Sequence, residues 1–167
     1  TTEIYTLSLH DALPICMERL SVLGLDIGRK RVGVAGCDGL GLGATAITTV
    51  IRKSYPEDVA AFEQLVRDRE ATALVVGLPY TMDGAEGKQA ASVRRYAERL
   101  GKSLDLPVQY IDERLSSVEA EEAIKQTGRS PSRHKPEIDR RAAAILLQRW
   151  LDRRDREIGR ASCRERV

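Results

Sequence analysis

"SVLGLDIGRKRVGVAGCD", Ser21 to Asp38, reads as a strand, a tight basic turn and a second strand returning on the first. Its first half has the apolar composition of a buried strand, with Asp26 placed inside it. A carboxylate taken out of water is costly unless it is paired or bound to a cation. Period-two alternation sets Asp26 on one face with Val22 and Gly24. The stretch therefore fixes a hairpin and asks what shares a site with Asp26.

Outward from the hairpin, "ATAITTVIR" (Ala44 to Arg52) is β-branched and reads as a third strand. "PEDVAAFEQLVRDRE" carries Val59, Phe62, Leu65 and Val66 at helical spacing, with Pro56 suited to a first helical turn. "TALVVGLP" is the short, continuously apolar run of a strand buried on both faces. "KQAASVRRYAERLGKSL" predicts a second helix and "PVQYIDER" a further strand. "SSVEAEEAIKQTG" opens on a capping-box pattern, Ser116 to Glu119, and stops at Gly128. After the polar loop "RSPSRHK" comes a last helix, "PEIDRRAAAILLQRWLDRR". Strands in a hairpin, then strands alternating with helices, predict a mixed α/β sheet with helices on its faces.

Three places in this pattern carry carboxylates. Asp26 is near the end of the first strand, and "VQYIDER" ends in the adjacent pair Asp112 and Glu113. Alternation sends those two to opposite faces, so one of them is positioned to join Asp26; periodicity does not say which. Asp139 starts a helical stripe continued by Ala142, Ala143, Leu146 and Trp150, which turns it towards the sheet. A carboxylate early in a helix also suits the helix dipole, but an exposed one would serve equally well. Carboxylates gathered at one sheet edge repel each other unless a cation neutralises them. Oxygen donors with no Cys or His cluster nearby favour Mg²⁺ or Mn²⁺ over Zn²⁺. Two such ions about 4 Å apart can activate a water and stabilise the leaving oxygen of a phosphodiester.

The ends of the chain read differently from its middle. The tail "EIGRASCRERV" (Glu157 to Val167) can be encoded by a DNA segment whose opposite strand encodes "TLSLHDALPI", Thr6 to Ile15. Such complementarity resembles a sequencing adapter, so residues 1–16 and 156–167 are set aside as read-through, leaving one domain over 17–155 with Met17 as its start. The whole chain holds 27 basic and 25 acidic residues, and the domain alone is slightly more basic, a balance that permits a nucleic-acid partner. Cys16 and Cys163 fall in the arms, so Cys37 alone supports neither a disulfide framework nor a cysteine metal site. No apolar run approaches the roughly 20 residues of a membrane span, and no signal peptide follows Met17. A cytoplasmic protein with no membrane partner is the expectation.

"LDIGRKRVGVA", "VVGLPYTMDGAEG", "IDERLSS" and "KPEIDRRAAAILL" resemble, in order and spacing, the YqgF/RuvX family. Its bacterial members are described as candidate pre-16S ribosomal RNA nucleases and as candidate Holliday junction resolvases. The resemblance spans residues 19–154. It implies a ribonuclease H-like fold, a five-stranded mixed sheet with helices on both faces, related to the RuvC resolvase. It also implies Asp26, Glu113 and Asp139 as catalytic and metal-binding residues, because RuvC-like resolvases place a Glu at this strand end. Asp112 and Arg114 then stand as supporting residues, Asp112 also as the alternative ligand. The loop "GLPYTMDGAEG" falls on the active-site side, with Gly77, Pro79, Asp83, Gly84 and Gly87 in place; Tyr80-Thr81 stand where members often carry Leu-Asn.

Basic residues flank these positions: Arg29, Lys30 and Arg31 in the hairpin turn, Arg133 and Lys135 in the loop before Asp139. They are candidate phosphate contacts. The implied reaction is in-line hydrolysis of a phosphodiester by an activated water, leaving a 5′-phosphate and a 3′-hydroxyl. The implied partners are pre-rRNA or branched DNA, with ribosomal particles as a further partner and either a monomer or a homodimer as the working unit. Two other classes compete. A nucleic-acid-binding module without catalysis would tolerate loss of the carboxylates, all of which this chain retains. An ATP-binding protein also begins with an Asp-x-Gly hairpin, but clamps its nucleotide between two related domains.

Overall fold

A computed structural model describes residues 20–37, 39–80, 87–112 and 135–164, with side chains described as far as 156. The hairpin forms as β1 (Val22–Ile27) and β2 (Arg31–Cys37), closed by the Gly28 N–H donating to the Arg31 carbonyl at 2.9 Å. β3 (Ala44–Ile51) pairs antiparallel with β2, while β4 (Ala73–Leu78) and β5 (Val108–Asp112) run parallel to β1. The sheet order is β3-β2-β1-β4-β5. Its mixed character follows from the sequence: a short basic turn can only return antiparallel, whereas a helical crossover lets a strand re-enter parallel. The parallel strands β1, β4 and β5 therefore end together at one edge, where α/β sheets hold their ligands.

Helices cover both faces. α1 (Tyr55–Arg69) and α2 (Lys88–Leu104) lie on one side, where Phe62, Val93, Ala97 and Leu100 are buried against Leu23, Leu25, Leu74 and Val76. α3 (Lys135–Arg164) lies on the other, with Ala143, Leu146, Leu147 and Leu151 on Val22, Ala35 and Val75. Successive strand residues thus alternate between two cores. The five-stranded mixed sheet with helices on both faces is as expected from the sequence, and α3 runs on past the predicted helix end at Arg154 to Arg164. The helix predicted over 116–128 and both arms lie outside the described residues. No helix among the described residues is long and apolar enough to cross a membrane.

α1 starts on a capping box: Glu57 accepts from the Ser54 N–H at 3.2 Å and from its hydroxyl at 2.6 Å. The hydroxyl bond is the main reason that the Glu57 carboxyl sits below the usual range. One turn in, Asp58 is the one charged side chain buried in the described core, 4% exposed. It accepts from the Lys53 N–H at 3.1 Å and the Tyr96 hydroxyl at 2.9 Å, with Arg52 Nε 3.9 Å away. Burial, then the bond to Asp58, push the Tyr96 hydroxyl well above the usual phenol range, so it stays a donor. Asp58→Asn removes the charge these donors face and is expected to cost about 1–3 kcal/mol, measurable by urea denaturation.

Candidate active site

Asp26 is half-buried, one residue from the end of β1. Its cross-strand partner is Gly33 on β2. On β4 the next position after the Leu25–Val76 pair is Gly77. Asp26 is therefore the one side chain in its row between two glycines. Directly opposed residues share a face, and a β-carbon on Gly33 would overlap the carbonyl oxygen of Asp139 and come within 2.9 Å of the Arg140 nitrogen. Two residues before Asp26, a β-carbon on Gly24 would lie 2.8 Å from Leu147 Cβ and 3.2 Å from the Ala143 carbonyl. The first turns of α3 thus cross the sheet directly beside Asp26, because glycines there let helix backbone reach strand backbone.

This crossing brings Asp139 to the face and edge that Asp26 occupies. The start of α3 is also tied down by the Thr49 hydroxyl, which donates to the Pro136 carbonyl at 2.5 Å; Thr49 is the β3 partner of Gly33. Farther along, the Trp150 Nε1 donates to Gln109 at 3.0 Å and Gln148 accepts from the Ala44 N–H at 2.9 Å. Both ends of the sheet thereby fix the helix.

Asp139 carries a cation already. Arg31 Nε donates to its Oδ2 at 2.5 Å, both side chains being about a quarter exposed (28% and 25%). A pair this open to solvent contributes at most about 1 kcal/mol. Its interest is chemical, since a guanidinium stands where the clustered carboxylates call for positive charge. Arg31, a candidate phosphate contact from the sequence, has its Nε bonded to Asp139.

The other site candidates divide as follows. Arg29, Lys30, Arg31 and Lys135 line one groove of about 820 Å³ at the carboxylate edge. Gly77 is in β4, Pro79 just after it, and Gly87 is the N-cap of α2. Asp112 ends β5, opposite Leu78. Val108 and Tyr110 pack into the α1/α2 core and Ile111 into the α3 core, so alternation places Asp112 on the face away from Asp26. Glu113, Arg114, Asp83, Gly84 and Arg133 lie outside the described residues. Among the described residues, no group of three or more acidic, His or Cys side chains is arranged to hold a metal. The donors that are placed, two carboxylates on one face beside a guanidinium, suit a hard cation by their chemistry. The contact residues Gly33 and Thr49 were not among the sequence candidates; a glycine inside the strand "VGVAGC" is the signal that marks such an approach.

The five-stranded mixed sheet with helices on both faces defines a ribonuclease H-like fold, and carboxylates from β1 and from a helix crossing it lie at one edge. The fold likeness extends to the Thermus thermophilus RuvC in complex with Holliday junction substrate, with a TM-score of 0.50 at 16% identity over 81% of this chain and 95% of that one. Residues 20–153 match the family described as "RuvX: Holliday junction resolvase". A relative from Microcystis aeruginosa named "Putative pre-16S rRNA nuclease" is 58% identical over 84% of this chain and 97% of its own length. One of the same name from a Synechococcus species is 54% identical over 81% of this chain and 91% of its own length. The chain belongs to the RuvX family.

Proposed function

We propose that this protein is a metal-dependent endonuclease of structured nucleic acid that processes the 5′ end of pre-16S rRNA. The observation that carries this reading is the meeting of Asp26 and Asp139 on one face of the sheet edge, forced by the contact of Gly33 with the Asp139 carbonyl. The names of the relatives favour the RNA substrate. The family description makes a four-way DNA junction the rival.

In this reading Asp26 and Asp139 hold Mg²⁺ or Mn²⁺ together with Glu113. Glu113 is chosen over Asp112 because β5 turns Asp112 to the opposite face, and because RuvC-like resolvases carry a Glu at this strand end. Bound there, such ions supply an activated water and stabilise the leaving oxygen of the scissile phosphodiester. Arg29, Lys30 and Lys135 hold backbone phosphates along the groove, Arg133 is a further candidate phosphate contact, and Asp83 and Gly84 belong to the loop that the family resemblance assigns to the active site. Arg31 keeps Asp139 neutralised and oriented, so a cation competing for that carboxylate has to displace a guanidinium. Arg31→Gln is accordingly expected to tighten Mn²⁺ binding up to about fivefold, a gain of no more than about 1 kcal/mol, read by calorimetric titration, while lowering folding stability by a similar amount at most.

The direct test offers the protein a 5′-labelled leader–16S RNA fragment and a four-way DNA junction, each with Mg²⁺, Mn²⁺ or EDTA. Metal-dependent cutting of the RNA at a discrete position is the expected result. Cutting of the junction alone would transfer the reading to a resolvase, and tight binding with no cutting of either would make the protein a binding module.

A further inference from the structure

A second cavity, of about 410 Å³, opens between the β1–β2 turn and the first turn of α2. Ile27 and Val93 floor it, and both belong to the α1/α2 core, so it lies across the sheet from Asp139. Among the described residues its polar wall is Arg29, Arg52, Lys88, Gln89 and Ser92, three cations and no carboxylate. Arg52 is held in place: its Nη1 donates to the Gly28 carbonyl at 2.9 Å, its guanidinium lies 4.1 Å from the centre of the Tyr96 ring, and buried Asp58 backs it. Arg29 and Lys88 pair with no carboxylate among the described residues. The first turn of α2 contains no acidic residue to oppose them.

We propose that this cavity is a second backbone-phosphate subsite, taking a phosphodiester of the same nucleic-acid strand after it has passed over the β1–β2 turn. The inference rests on the nucleic-acid reading above. Two features favour a strand over a small free anion. Arg29 lines both this cavity and the groove of Lys30, Arg31 and Lys135, so the cationic surface runs unbroken from the carboxylate edge to α2. A polyanion gains from each successive phosphate it neutralises along such a track. Among the described residues its lining offers charged and polar groups for backbone contact and no aromatic ring to stack a base.

The test is binding of fluorescein-labelled leader–16S RNA in EDTA across a series of KCl concentrations. Lys88→Gln is expected to weaken binding about fivefold and to reduce the salt slope by about 0.7 to 0.9, the share of one phosphate contact. Ser92→Asp, which puts a negative charge at the mouth, is expected to weaken it at least tenfold, and Lys88→Arg to restore it. Lys102→Gln, at the far end of α2, should match the wild type. Wild-type affinity and slope in both Lys88→Gln and Ser92→Asp would overturn the subsite while leaving the nucleic-acid reading intact. Wild-type protein that fails to bind the RNA at low salt would overturn both. ATP that displaces RNA from the wild type, and whose own binding is lost in Ser92→Asp, would reassign the cavity to a free nucleotide and overturn the strand contact.

Discussion

Gly33→Ala is expected to destabilise the protein by about 3 kcal/mol and to abolish cleavage, although the change adds one methyl group. The new carbon would overlap the Asp139 carbonyl oxygen, and what it meets is helix backbone with no flexible side-chain end to swing aside. Either α3 lifts from the sheet or β2 bends, and overpacking that needs a backbone shift costs about 1–3 kcal/mol, occasionally more. If the helix lifts, Asp139 leaves the face it shares with Asp26, so activity falls further than stability. Gly43→Ala is the control, because a β-carbon there meets nothing within 4 Å. Urea denaturation should show a lowered midpoint for Gly33→Ala and no change beyond about 0.5 kcal/mol for Gly43→Ala. Equal midpoints would mean that the helix does not rest on the strand as described.

Asp26→Asn is expected to lower cleavage on the order of 10³-fold, the rate equivalent of losing several kcal/mol of charge stabilisation. The change is isosteric, and in the sheet Asp26 is flanked by Gly33 and Gly77. The fold should therefore survive, at a cost of no more than about 1–3 kcal/mol from the interaction that the carboxylate makes. RNA binding in EDTA should be retained or improve, since one negative charge leaves a phosphate-binding edge. That split, chemistry lost and binding kept, separates a catalytic carboxylate from a structural one. Cleavage within threefold of wild type would remove Asp26 from the mechanism.

The faces of the elements were legible in the sequence, and the contacts between distant elements were not. Alternation set Asp26 with Val22 and Gly24, and helical spacing aligned Asp139 with Ala142, Ala143 and Leu146; in the structure those residues pack as two sides of one core or its edge. Each such reading uses a period within one element, which a single sequence displays. The pairing of Arg31 with Asp139 joins residues 108 positions apart, and no local period encodes it. The same holds for Asp58, which no local sequence period marks, because Tyr96 and Arg52 are brought to it only by the fold. Asp112 was a weighed alternative in the sequence, and the cores entered by Tyr110 and Ile111 are what place it on the other face.

The most direct test of the account is a crystal of the protein soaked in Mn²⁺, with the metal located by its anomalous scattering. The account predicts a peak between Asp26 and Asp139, with Glu113 as a further oxygen donor and Arg31 moved off Asp139. Arg31 still bonded to Asp139 in a protein that cleaves RNA under the same Mn²⁺, with the metal bound elsewhere, would contradict it.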